Sequence, residues 1–95
     1  MVQKVKTNSS NELYNNGNDE QRVYDIEANV SIADAKTRNM DGGRIRKDGE
    51  VVGQFNWWED DNLNITYQGV SVAERNEINI AVDAFINEVK TAIKG

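Results

Sequence analysis

Residues 71–94, SVAERNEINIAVDAFINEVKTAIK, decide the fold. On a helical wheel of about 3.6 residues per turn, Ile78, Ala81, Val82, Phe85, Ile86, Val89, Ala92 and Ile93 share an arc of about 140°, while Asn76, Asp83, Asn87, Lys90 and Lys94 fall opposite. A helix with one dry stripe needs a flat apolar surface to cover. Its ends are written locally. Ser71 and Glu74 form an S-x-x-E capping box, in which the Ser71 hydroxyl accepts from the Glu74 amide and the carboxylate reaches back. Glu74 and Glu77 complement the positive end of the helix dipole, Lys90 and Lys94 its negative end, and Gly95 follows where a C-terminal glycine belongs.

The surface to be covered lies upstream. Gly43 to Gln68 predicts two hairpins, and requiring all apolar side chains to share a face sets their loops. A three-residue loop, Lys47-Asp48-Gly49 with Gly49 in a bulge, pairs Ile45 with Val51 and Arg46 with Glu50. A five-residue loop from Trp58 to Asn62 pairs Trp57 with Leu63, Phe55 with Ile65 and Gly53 with Tyr67. The predicted buried face is Ile45, Val51, Phe55, Trp57, Leu63, Ile65 and Tyr67. Before it, Tyr24, Ile26, Ala28, Val30 and Ile32 alternate with Asp25, Glu27, Asn29 and Ser31, which predicts a long half-buried strand ending near Ala33 to Lys36. Asn39-Met40-Asp41-Gly42-Gly43 reads as a turn. Residues 1–21, rich in Asn, Ser and Gly, read as a flexible polar tail in which Val2 to Val5 is the β-tolerant stretch. The expectation is an α+β, two-layer domain over residues 22–95, a four-stranded antiparallel β-meander packed on one long C-terminal helix.

Composition excludes more than it assigns. The chain has no cysteine and no histidine, which removes disulfides, thiolate nucleophiles, the usual zinc ligands and the commonest general base. Its opening, MVQKVKTNSSNEL, lacks the apolar region of a signal peptide, so the expected location is the cytoplasm with no membrane association. The formal net charge of -5 is spread along the chain, which opposes ordinary nucleic-acid binding. No phosphate-cradling glycine motif is present. Asp25 and Glu27 sit two apart on an open face where nothing excludes water, so no enzyme and no cofactor are expected. Glu59-Asp60-Asp61-Asn62 with Asn64 offers oxygen ligands, but it lacks the glycine and the downstream glutamate of an EF-hand loop, so no metal is expected there.

The uncovered face would show Arg44, Arg46, Glu50, Val52, Gln54, Asn56, Trp58, Asn64, Thr66 and Gln68. The register that buries Trp57 exposes Trp58, and an exposed tryptophan among arginines and amides has the composition of a binding hot spot. Trp58, Arg44, Arg46, Gln54 and Asn56 are therefore the expected partner-binding residues of a small non-catalytic protein-interaction module. Size and charge associate it with the inhibitors and adaptors of phages and mobile elements. Two alternatives use other residues. Single-stranded nucleic acid would be held by the basic run from Arg44 to Lys47, with Trp58 or Tyr24 as stacking platforms. A structural homo-oligomer would pair through Ile80 and Ala84, which point away from the apolar arc, or through strand edges.

Overall fold

The structure is a computed structural model that describes residues 2–7, 11–17 and 22–93, with the backbone alone of residues 6 and 7. It is an α+β arrangement of one antiparallel sheet and one helix. The strands are β1 (Gln3–Thr7), β2 (Asn11–Asn15), β3 (Asp25–Ala33), β4 (Lys36–Lys47), β5 (Glu50–Trp58) and β6 (Asn62–Tyr67), followed by α1 (Val72–Ile93). Their spatial order is their chain order, so the sheet is a meander. No helix among the described residues is long and apolar enough to cross a membrane.

Six strands stand where four were expected, because much of the segment read as a tail is sheet. β1 and β2 pair with each other and β2 pairs along β3, Tyr14 opposite Ala28. Polar composition did not prevent this, since β3 offers a complete row of backbone donors and acceptors and few apolar anchors suffice. Tyr14 and Val2 supply them, both buried in the core cluster. Asn16 closes the join: its backbone amide donates to the Ile26 carbonyl at 3.0 Å and its side-chain amide to the Tyr24 carbonyl at 2.8 Å. The expected sites in residues 8–10, 18–21 and 94–95, Lys94 and Gly95 included, lie outside the described residues.

The predicted turn at residues 39–43 is instead the interior of β4. The chain reverses earlier, at Asp34 and Ala35, whose φ angles of 55° and 60° make a two-residue turn between Ala33 and Lys36. Gly42, with φ 60°, inserts one extra residue into β4 relative to both neighbours. That bulge rephases the strand, so Met40 on one side of it and Gly43 and Ile45 on the other all face the core. The β4–β5 loop is also shorter than expected. Asp48 and Gly49, at φ 53° and 83°, make a two-residue turn that pairs Lys47 with Glu50 and Arg46 with Val51. A second bulge before Gly53 restores the phase, and Val52 rather than Val51 packs against the core.

From Gly53 onward the expected register holds: Gly53 faces Tyr67, Phe55 faces Ile65 and Trp57 faces Leu63. The ladder runs one pair further, to Trp58 and Asn62, which leaves a three-residue loop with Asp61 at φ 67° and its amide donating to the Trp58 carbonyl at 2.8 Å.

The helix begins as its capping residues require, the Glu74 amide donating to the Ser71 hydroxyl at 3.2 Å, while the Glu74 carboxylate lies 3.6 Å from the Lys47 ammonium. Ile78, Val82, Phe85, Ile86 and Val89 are buried against the sheet. Ala92, expected within the apolar arc, is exposed. Phe85 meets Phe55 edge-on, with ring centroids 6.1 Å apart. Hydrogen bonds tie the flanks of α1 to the sheet on both sides: Tyr24 donates to Glu77 at 3.2 Å, and Tyr67 donates to Asn79.

Candidate interaction surface

A sheet covered on one face by a single helix presents the other face to solvent, and strand pairing aligns its side chains in rows. One row runs Asn11, Ser31, Asn39, Trp58, Asn62. The next runs Leu13, Asn29, Asp41 and, past the bulge, Asn56 and Asn64. A third runs Asn15, Glu27, Arg44, Gln54, Thr66. The surface is thus dominated by amides, with one aromatic ring near its end. Trp57 is 2 % exposed and Trp58 is 41 % exposed, so neighbouring indoles have opposite environments. Trp57 is fixed further, its indole N–H donating to Asp61 at 3.1 Å and its ring lying 5.3 Å from the Lys90 ammonium.

The residues expected to bind a partner share this face. Arg44 and Gln54 stand directly opposite each other, and Gln54, Asn56 and Trp58 follow on one face of β5 over about 13 Å at the usual rise per residue. Gln54, Asn56 and Arg44 are exposed. Arg46 is on the same face but is drawn into an ion pair with Glu27 across β3. Sequence reasoning missed Asn11 and Asn39, which with Ser31 form the row that leads to Trp58. The Ser31 hydroxyl donates to Asn11 at 2.8 Å. The available signal was Met40 flanked by Asn39 and Asp41, a single period-two step masked by the glycines that follow.

Electrostatics sort the remaining candidates. Of the basic residues clustered in the middle of the chain, Arg38 donates to Glu59 at 2.8 Å and to Asp34 at 3.3 Å, Arg46 pairs with Glu27, and Lys47 lies beside Glu74. The hydrogen bond from Arg38 to Glu59 raises the guanidinium pKa above its ordinary value. Among the described residues Arg44 has no carboxylate at ion-pair distance, whereas its neighbours Arg46 and Lys47 are paired. Tyr24 is buried and cannot serve as a stacking platform. Asp25 is held by Arg22 at 2.8 Å. In the acidic loop each carboxylate accepts from a different donor: Glu59 from Arg38, Asp60 from the Asn62 amide at 3.2 Å, and Asp61 from Trp57.

Ile80 is 70 % exposed and Ala84 is exposed, both on the side of α1 turned away from the sheet. A cavity of about 430 Å³ lies where the β3–β4 turn, the β5–β6 loop and the end of α1 meet, lined by Asp34, Thr37, Trp57, Glu59, Lys90 and Ile93 among others. The Thr37 hydroxyl there is buried without a partner among the described residues. Asp34 and Glu59 are both held by Arg38, and Lys90 sits over Trp57.

No family model, no curated protein and no solved structure matches this chain.

Proposed function

We propose that the protein is a non-catalytic interaction module that docks a folded protein partner on its open sheet face, with Trp58 as the anchor. The observation that supports this reading is the exposed indole at the end of a flat row of amides, 41 % accessible beside a buried twin. A large amphipathic ring held on a rigid strand loses little entropy on binding and is the residue type most enriched at hot spots. The surroundings define the partner's chemistry. Exposed Asp60 and the neighbouring carboxylates of the loop lie beside Trp58, so the complementary surface is an apolar slot edged by lysine or arginine. Asn56 and Gln54 supply donors and acceptors along the same strand, and Arg44 gives one acid-seeking group further in. The same acidic rim, with Arg38, Arg46 and Lys47 committed to carboxylates, favours a protein over a nucleic-acid partner.

The test is affinity capture from cells that naturally contain the chain, with wild type, Trp58→Ala and Asp60→Lys compared and their thermal unfolding measured alongside. Trp58→Ala is expected to lose its specific partner by 30-fold or more, a loss of about 2 kcal/mol or greater, with the unfolding midpoint nearly unchanged. Capture of the same proteins by all three would remove the site.

A further inference from the structure

The two edges of the sheet are built differently. β1 is broken by a bulge between Lys4 and Lys6, and Lys4 stands exposed in an ion pair with Glu12 at 3.1 Å. Lysine and a bulge are the means by which natural sheets block edge-to-edge pairing. β6, the opposite edge, has neither. Its sequence, NLNITY, contains no charge and no proline, and its register with β5 is uninterrupted. The Gln68 amide donates to the Val52 carbonyl at 2.9 Å, and alternation along an antiparallel ladder then turns the backbone groups of Asn62, Asn64 and Thr66 toward β5. Those of Leu63, Ile65 and Tyr67 point outward along an edge that no other strand of the described chain occupies.

We infer that β6 is a self-pairing edge, and that a second copy of this chain adds to it antiparallel about a twofold axis through Ile65. In that register the outward groups of Ile65 bond those of its own counterpart, and Leu63 bonds Tyr67 of the other copy. Leu63, Ile65 and Tyr67, all half-buried on the helix side, meet apolar neighbours, and Asn64 meets Thr66 on the open side. A shift by one residue would place apolar side chains against polar ones, so the alternation excludes odd shifts, and an axis through Ile65 pairs the outward groups of all three residues where one through Leu63 or Tyr67 would pair fewer. Charge agrees with it. Arg75 lies 5.1 Å from the Tyr67 ring at one end of the edge, whereas Asp83 and Asp61 flank Leu63 at the other. The twofold axis brings the cationic end of each copy to the acidic end of its mate, as an isologous interface requires.

An edge of six residues covers less than the roughly 1,200 Å² of a permanent dimer, so the association is expected on the order of tens of micromolar. Sedimentation velocity of the full chain across that concentration range tests it, with substitutions at the exposed positions 64 and 66, where fold stability is least affected. Wild type is expected to pass from monomer to dimer. The Asn64→Lys/Thr66→Lys variant, which sets lysine against lysine across the axis, is expected to weaken association at least 10-fold, and mixing it with Asn64→Glu/Thr66→Glu is expected to restore dimer. Ile80→Glu is expected to dimerise like wild type. A wild type that stays monomeric throughout, a lysine variant that dimerises undiminished, or loss of dimer in Ile80→Glu would each overturn the assignment, the last in favour of the helix face.

Discussion

Two residues of this chain show opposite constraints, one of backbone conformation and one of space. Ala35 adopts φ 60° in a two-residue turn, a conformation that costs an L-residue about 1–2 kcal/mol. Its side chain is exposed, so the methyl group has no compensating burial. Ala35→Gly is therefore expected to stabilise the protein by about 0.5–1 kcal/mol, after subtracting the entropy that glycine loses on folding. Urea denaturation measures it as a higher midpoint with an unchanged slope. Gly43 is the reverse case. A Cβ there would lie 2.5 Å from the Phe55 ring and 2.6 Å from the Phe55 carbonyl oxygen. Gly43→Ala is expected to destabilise by about 1–3 kcal/mol in the same experiment, because the obstruction includes rigid backbone.

At the scale of elements, what could be read from sequence was what periodicity controls. The helix stripe, the even-numbered face of β3 and the opposite environments of Trp57 and Trp58 all follow from a side-chain period that one face must satisfy. What escaped was punctuation. Gly42-Gly43 has the composition of a turn and forms a bulge, whereas Asp34-Ala35 makes the turn without a glycine. The two-residue loop at Asp48-Gly49 looked incompatible with a single buried face, and it would be, were it not for the extra residue before Gly53 that returns the strand to phase. β1 and β2 escaped for another reason: their strand character is supplied by the edge of β3, so the signal lies in the neighbour rather than in their own residues. The same limit applies to the candidate surface, three of whose amides, Asn11, Asn15 and Asn39, come from β2 and from the part of β4 read as a turn.

The contact between Tyr24, which immediately precedes β3, and α1 carries its own prediction. Burial, with a further contribution from the hydrogen bond to Glu77, pushes the Tyr24 phenol up to about 12 from an ordinary 10. The neutral form is favoured in the folded state, so its contribution is fully present below about pH 10 and is lost as pH rises through 12, the unfolded chain ionising first. Ultraviolet difference titration should show Tyr24 ionising late, and Tyr24→Phe should remove its phase and flatten the loss of stability between pH 10 and 12.

For the whole molecule the meander means that each strand pairs only with its neighbours in the chain, so the sheet can be assembled hairpin by hairpin from local contacts. The layer that covers it comes last. β6 ends at Tyr67, but the side chains that seal the apolar face extend to Val89 and Ile93. Because α1 follows the strands in the chain, the apolar face of the sheet has no cover until the helix docks, and a hairpin closes within microseconds. During that interval the rings of Phe55 and Trp57 are a target for holding chaperones and for other nascent chains. A chain ending at Val70 is therefore expected to form light-scattering aggregates rather than a dispersed sheet, and a monodisperse truncated product would contradict this. Termination between Val70 and Val89 would thus yield a species prone to precipitate, not one merely lacking a helix.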